Sequence, residues 1–367
     1  MTTIIIGAGA SGLACAIRLK QNNPKCRVKL LERMPIAGKK ILATGNGRCN
    51  LSNLNAEHND IVIDFFKSIG LVTRTDEEDR IYPYSNQAET VVALLLKECE
   101  KRGIEIITDC TVSEISKNLN IITDKGRFSA DNVVIATGGK AQKNLGSDGS
   151  GYKLLQSLGH TISELSPALV QLTSSSKYPR KLKGHRVKCK MSILLDGEIV
   201  QSEYGEVLFT DYGLSGIVTM NLSAIVSKNF SASQPRKCHT VLDLIPDMSQ
   251  KEVSEYLNQF GSLNGILGSE LSSIIEKQAE SNPEKVAMLA KNWKLIITGT
   301  KGFDFAQITN GGARLDEFDE FQSKKIKGLY ACGEVLDKQF MCGGYNLNFA
   351  WYSGIAVADK ITIYNKV

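Results

Sequence analysis

The hydrophobic pattern changes period twice within the first thirty-odd residues. Thr2 to Ile6 is a short, nearly unbroken apolar run, as expected of a strand buried on both faces of a parallel sheet. From Ala14 to Gln21 the spacing is helical, and Arg27 to Leu31 reads as a second strand, ending at Glu32. Between the first strand and the helix stand Gly7, Gly9 and Gly12, with Ala10 and Ser11 inside the G-x-G-x-x-G spacing. Gly12 to Glu32 is the gap of about 20 residues expected of a dinucleotide-binding βαβ unit. Further on, Ile61 to Ile69 predicts a short helix. Ala88 to Arg102 predicts another, with Val91, Val92, Leu95 and Leu96 on one face and Gly103 as its stop. Ile104 to Thr108 reads as a strand, Thr111-Val112-x-x-Ile115 begins the next, and Ile121-Ile122 with Arg127-Phe128 suggests a hairpin. Asp131 to Ile135 is a buried strand that runs into Ala136-Thr137-Gly138-Gly139.

From Pro167 to about Pro246 the pattern alternates and predicts strands. Asp247 to Trp293 reads as helical: Ser249-x-x-Glu252 is a capping box, Ser269 to Ala279 is amphipathic, and Asn282-Pro283 is an N-cap with proline at the first helical position. Lys294 to Ile297 and Phe305 to Thr309 read as strands again. Lys327 to Cys332 is a strand entering Gly333-Glu334-x-x-Asp337, and Gly343-Gly344-Tyr345-Asn346-Leu347-Asn348 opens a last helix, Phe349 to Ile361.

The glycine unit carries the first chemistry. Gly7 makes a tight turn, Gly9 lets backbone approach a pyrophosphate at the helix N-terminus, Gly12 permits close helix-to-strand packing, and Glu32 accepts hydrogen bonds from a ribose. The segment Arg33 to Asn50 reads as a loop rich in glycine and cations. An anionic cofactor gives it a reason to be ordered, through backbone N–H groups and the charges of Lys39 and Arg48, and Arg33, Gly38, Asn46, Gly47 and Cys49 are further expected cofactor contacts. Thr137-Gly138-Gly139 lets the chain pass close to the same cofactor. Gly146-Ser147-Asp148-Gly149-Ser150-Gly151 is not a second nucleotide loop, since no apolar strand precedes it and no acid-terminated strand follows. One dinucleotide fold is therefore expected.

The run Gly38-Lys39-Lys40-x-Leu42-x-Thr44-Gly45-Asn46-Gly47-Arg48-Cys49-Asn50-Leu51-Ser52-Asn53 resembles the signature loop of the BaiN-like (YhiN-type) bacterial flavoproteins. These are FAD-dependent oxidoreductases, also described as NAD(P)/FAD-dependent or aminoacetone-oxidase-like. Tyr82-Pro83-Tyr84-Ser85, Asn310-Gly311-Gly312-Ala313 and Gly343 to Leu347 are similar to further segments of that family, with Asn348 standing where glutamine is usual. So does Leu208-Phe209-Thr210-Asp211-Tyr212-Gly213-Leu214-Ser215-Gly216, where Asp211 stands for a usual histidine and Ile217 for a usual proline.

The resemblance implies an α/β fold: a Rossmann-type, two-dinucleotide-fold-like FAD domain over residues 1–165 and 308–367. It also implies an inserted β-rich domain over 166–246 and 294–307, with a helical subdomain over 247–293. It implies FAD contacts from Val112 through its backbone, and from Gly333, Glu334 and Asp337. Gly344, Tyr345, Asn346 and Leu347 would present the N-terminus of the last helix to the flavin, where its dipole stabilises the reduced anion. The expected activity is FAD-dependent oxidation–reduction of an unidentified small organic or cyclic enone-like substrate, with NADH or NADPH as transient donor. The alternatives are an oxidase passing electrons from an amine-like donor to oxygen, and an RNA-directed flavoprotein. No catalytic acid or base is singled out.

Composition narrows this picture. A chain of 367 residues with 42% hydrophobic and 23% charged content suits two to three globular domains. Its net charge of +5 does not call for nucleic acid or a membrane. The basic run Lys177 to Lys190 reads as a solvated strand face rather than an RNA patch, because Tyr178 is its only aromatic residue. Nine cysteines without a C-x-x-C pair suggest buried thiols in a reducing cytoplasm and argue against a disulfide reductase. His58, His160, His185 and His239 are scattered, so neither a metal site nor a Ser/His/Asp arrangement is expected. No membrane span is expected, and the oligomeric state is left open.

Overall fold

The computed structural model describes residues 1–364. The chain divides into two compact units: Met1–Leu165 with the chain from Ile308 onward, and Ser166–Gln307.

The first unit is built on a parallel sheet. Its strands are β1 (Thr2–Ile6), β2 (Arg27–Leu31), β3 (Glu105–Ile107), β4 (Asn132–Ile135) and β5 (Leu329–Ala331). Their spatial order is β3-β2-β1-β4-β5, continued at the β5 edge by the short antiparallel pieces Gln322–Ser323 and Phe318–Asp319. β1 is central, pairing Ile6 with Leu31 on one side and with Ile135 on the other. Side chains alternate between faces along a strand. Ile5 therefore enters one core layer with Leu13, Ile17, Val91, Leu95 and Trp351, whereas Ile4 and Ile6 enter the other with Leu155, Ile121 and Leu329. Burial on both faces is why the strand reads as an unbroken apolar run. Three helices matter for the site: α1 (Ala10–Asn22), α2 (Ser150–Ser157) and α3 (Tyr345–Tyr364). α3 crosses α1 closely enough that a Cβ at Gly354 would overlap the Ser11 carbonyl.

The second unit is a closed six-stranded barrel. Its strands, in spatial order, are Leu172–Ser174, Gly213–Ser215, Glu198–Phe209, Arg186–Leu195, Cys238–Asp243 and Trp293–Thr300. The helices between Gln250 and Lys291 share its core: Val253, Leu257, Ile275 and Val286 pack in one cluster with Trp293, Leu242 and Phe209. Ser249 forms the capping box with Glu252, and the Asn282 side chain accepts from the Lys285 N–H.

Three local expectations change. The Arg33 to Asn50 segment contains a helix, Lys39–Ala43, and a 3-10 turn, Thr44–Gly47. Gly38 at φ 74° turns the chain into that helix, and Lys-Lys-Ile-Leu-Ala are good helix formers. The basic run opens as a helix, Lys177–Lys181, before its strand begins at Arg186, since Pro179 in the first turn gives up no intrahelical hydrogen bond. Phe305 lies outside the strand Ile308–Asn310.

Candidate FAD site

At the carboxyl end of β1 the three glycines do different work. Gly7 has φ 104°, and a Cβ there would overlap the Ala136 carbonyl. A Cβ on Gly12 would overlap the Gly7 carbonyl. Both are excluded by the protein itself. Gly9 is extended, and a Cβ built on it meets nothing within 4 Å. It is the N-cap of α1, and no side chain caps that helix. The first N–H groups of α1, Ala10 and Ser11 among them, have no intrahelical acceptor and carry the positive end of the helix dipole. An open space beside uncapped N–H groups fits a pyrophosphate.

Glu32, buried at the end of β2, is held by the backbone. Oε2 accepts from the Ala8 N–H and Oε1 from the Met34 N–H, both at 2.8 Å. Each oxygen keeps a lone pair for a ribose hydroxyl. Glu32 lines a cleft with Gly7, Leu31, Arg33, Val112, Thr137, Gly146 and Ser150. The fingerprint acid, the Val112 backbone and the Thr137 turn thus meet in one cleft, in keeping with the adenosine half of a dinucleotide.

Several other expected contacts are committed inside the protein. Arg33 donates from Nε to Gly146 O at 3.2 Å and from Nη2 to Lys143 O at 3.3 Å, and pairs through Nη1 with Asp148 at 3.0 Å. Burial of Asp148 would raise its pKa. Hydrogen bonds from Ser150 and the Arg33 charge outweigh that and hold it below the usual carboxylate value. Glu334 pairs with Lys40 at 2.8 Å and accepts from the Thr309 N–H at 2.9 Å. Gly139 lies flat against it, since a Cβ would overlap Glu334 Oε1, while Gly138 turns at φ 69°. Asp337 accepts from Ser163 Oγ, and from Gln339 Nε2 at 3.1 Å. Asn346 folds its side chain onto the 340–341 loop, accepting from Phe340 N–H at 3.0 Å and donating to Phe340 O at 2.9 Å. Gly333 (φ 76°) packs on Ser11, and Gly344 (φ 99°) on the Ser52 carbonyl.

The signature loop is braced on the start of α3. Asn53 Nδ2 donates to Gly343 O at 3.2 Å, and Ser52 Oγ to Asn348 Oδ1 at 2.7 Å. Asn348, buried, also donates to Glu57 O at 2.8 Å. Leu347 packs against the core, and Tyr345 begins the helix. Gly45, Asn46, Gly47 and Cys49 all have φ between 56° and 82°, with Arg48 at φ −96° among them, so the chain turns sharply here. Arg48 lies 4.8 Å from the centre of the Tyr82 ring. Lys39 is half-buried and makes no ion pair among the described residues. The Cys49 thiol is buried and pushed up to about 12, only partly offset by a hydrogen bond with Thr44. It is a buried neutral thiol and not a thiolate.

The structure does assemble one serine–histidine–acid arrangement. His160 sits 2.9 Å from Glu317 through Nδ1 and 2.9 Å from Ser323 Oγ through Nε2, stacked on Phe318 at 4.6 Å. The imidazole is fully buried, and Ser323 Oγ also accepts from the Lys325 and Ile326 N–H groups. No substrate reaches it, so it is a structural clamp on the strand pieces 318–323. His160 lies more than 150 residues from both partners, which left no spacing to find. Among the described residues no cluster could hold a metal ion.

The HI0933-like protein Rossmann domain family matches residues 1–62 and 54–360. The chain belongs to this family. It is similar to a 3-dehydro-bile acid delta(4,6)-reductase from Clostridium scindens, with 36% identity over 95% of this chain and 96% of the relative. It is also similar to ribosomal RNA dihydrouridine synthases from Haemophilus influenzae (26%, 98% of each chain) and Escherichia coli (27%, 98% of this chain and 97% of the relative). Among solved structures, 3-ketosteroid delta1-dehydrogenase from Sterolibacterium denitrificans aligns with TM-score 0.56 at 10% identity, covering 99% of this chain and all of that one. A flavocytochrome c3 fumarate reductase aligns with TM-score 0.54 at 14%, covering 99% of this chain and 78% of that one. These likenesses show the fold. The family membership makes the chain a flavoprotein oxidoreductase dependent on FAD. The open space at Gly9, the uncapped α1 terminus and the spare lone pairs of Glu32 fit that cofactor. Among the described residues no helix is long and apolar enough to cross a membrane.

Proposed function

We propose that this protein reduces a carbon–carbon double bond conjugated to a carbonyl, using FAD that is re-reduced by NADH or NADPH. One observation carries the reading: full-length relatives named for a bile acid and for ribosomal RNA share one reacting group. A 3-oxo steroid with Δ4,6 unsaturation is a conjugated dienone, and dihydrouridine is uridine saturated at the ring double bond beside a carbonyl. In both, a hydride goes to an electrophilic carbon of the conjugated system (β to the carbonyl, or δ for the distal bond of a dienone), and a proton completes the saturated bond. The balance is one nicotinamide hydride and one proton consumed per double bond saturated. When bound, FAD supplies the carrier that accepts the hydride from the donor and passes it to the substrate.

The chain's own groups bind and orient. The α1 N–H groups and the space at Gly9 hold the pyrophosphate, Glu32 holds the ribose, and the start of α3, fixed by Asn53, Ser52 and Asn348, presents a positive dipole end to the flavin. The identity to the bile-acid reductase favours a small cyclic enone as the substrate.

An RNA substrate is the second reading, supported by the two ribosomal RNA relatives and the basic run. Within the second unit, however, Lys183 pairs with Asp211 at 2.8 Å, Arg186 with Glu206, and His185 with Glu270 at 3.2 Å. That leaves Lys177, Arg180, Lys181, Lys188 and Lys190 as exposed cations without an ion pair among the described residues, with Tyr178 the only aromatic residue in the run to stack a base. Asp211 is itself exposed and tied to Lys183, so it does not inherit an acid–base role.

The test is anaerobic turnover of FAD-loaded protein with NADH or NADPH and a panel of cyclic enones, dienones and saturated ketones. The reading expects nicotinamide oxidation that depends on the enone and a product two hydrogens heavier. Peroxide formation from amines without nicotinamide would replace it with the oxidase alternative. Dihydrouridine formed in ribosomal RNA, with no small enone reduced, would replace the small-molecule reading with the RNA one.

A further inference from the structure

Arg33 directly follows the ribose acid and lines the same cleft, yet its charge is not aimed there. All three guanidinium nitrogens point at one segment, Lys143 to Asp148. That segment joins the Thr137-Gly138-Gly139 turn to α2; Gly146 on it, and Ser150 at the start of α2, line the cleft beside Glu32. Little else fastens it. Gln142, Gly146 and Gly149 turn at φ 63°, 109° and 81°, Leu145 is only half-buried, and Ser147 is the one well-buried side chain between Lys143 and Gly149. Asp148 is braced in turn, accepting from the Ser150 N–H at 3.0 Å, so the carboxylate that meets Arg33 also starts α2. A forked, fixed-geometry guanidinium that bonds two carbonyls and a carboxylate of one short segment is a fastening, which a lysine could not reproduce.

We propose that Arg33 and residues 143–148 form a clasp over the adenosine end of the cleft, and that its opening sets the rate at which FAD leaves. The proposal rests on FAD occupying this cleft with its ribose at Glu32. Arg33 is then a positioning residue, acting through the segment it holds and making no bond of its own to phosphate. Without the fork the segment keeps its glycine turns but loses its tie to β2, and the cleft opens on the Gly146 side.

The experiment measures FAD release from loaded protein by the rise in flavin fluorescence on dilution, for wild type, Arg33→Ala, Asp148→Asn and the double variant. Trypsin cleavage after Lys143 is followed in parallel. The clasp predicts release at least about tenfold faster for Arg33→Ala, a smaller acceleration for Asp148→Asn, and a double variant no faster than Arg33→Ala. Cleavage after Lys143 rises in the same order. Release at the wild-type rate in both single variants would overturn the clasp. So would acceleration in Arg33→Ala alone with Lys143 still protected, which would place the guanidinium on the cofactor. Should Arg33→Ala fail to fold, Asp148→Asn decides: unchanged release and unchanged cleavage overturn the clasp. A wild-type protein that takes up no FAD would instead overturn the cofactor assignment, which the first arm of the measurement shows separately.

Discussion

Replacing Gly9 by alanine separates what the protein needs from what its cofactor needs. Gly9 sits at φ −84°, ψ −164°, a region open to any L-residue, and the added methyl meets no protein atom within 4 Å. Losing glycine's unfolded-state freedom stabilises by about 0.4–1 kcal/mol. The preference for glycine over alanine at an N-cap opposes that by a similar amount, so cofactor-free stability should stay within about 1 kcal/mol of wild type. On the proposed placement of FAD, the methyl enters the space the pyrophosphate would fill. An intruding methylene in a close-packed contact costs about 1–3 kcal/mol, or roughly 5- to 150-fold in FAD affinity. Gly12→Ala is the contrast: its methyl would overlap the Gly7 carbonyl, so it should destabilise the cofactor-free protein itself by about 1–3 kcal/mol. Urea unfolding of both variants without cofactor, beside flavin-fluorescence titrations with FAD, reads the two effects apart. Wild-type FAD affinity in Gly9→Ala would refute the reasoning, because the open space would then not be the cofactor's.

The remaining predictions concern the rest of the chain. Burial lowers the His160 pKa below its ordinary value, outweighing the pull of Glu317, so folding favours the neutral imidazole. That contribution is complete above about pH 6.5, the unfolded histidine value, and is lost as pH falls through the lower folded value. Glu317 is held at about 2, where hydrogen bonds from Lys325, Thr161 and His160 outweigh its burial, and stays ionised throughout this range. Urea midpoints between about pH 5 and 8 should fall on the acid side for wild type and flatten in His160→Gln. Eight of the nine cysteines are buried and Cys342 is partly exposed, so native protein should show one fast thiol toward a disulfide reagent, lost in Cys342→Ser. Asn282→Ala should remove an N-cap and lower stability by about 1 kcal/mol, with FAD affinity unchanged.

What could be read from the sequence follows the range of the interactions. The βαβ unit is written within 32 residues, because its strand is buried on both faces and its glycines are dictated by contacts a Cβ would fill. Alternation in Cys238–Asp243 and Trp293–Thr300 is equally visible, since one face of each strand is buried and the other is not. Closure of the barrel is less legible: the first half of Glu198–Phe209 is mostly exposed, so its pattern carries no inward face. The fates of Glu334 and His160 were hidden. A partner 294 residues away for Glu334 and another 157 away for His160 have no local signature. The same holds for Arg33, which reads as a cofactor contact until Asp148 and the carbonyls of Lys143 and Gly146 are seen to occupy it.

The most direct test of the central claim isolates the oxidative half-reaction. FAD-loaded protein is reduced anaerobically, freed of excess donor, and mixed with a cyclic enone, its saturated ketone, or buffer. Conjugated-bond reduction predicts that flavin colour returns with the enone alone, one double bond saturated per flavin reoxidised. Flavin that stays reduced with every conjugated acceptor, including uridine within ribosomal RNA, yet regains colour in oxygen, would contradict it.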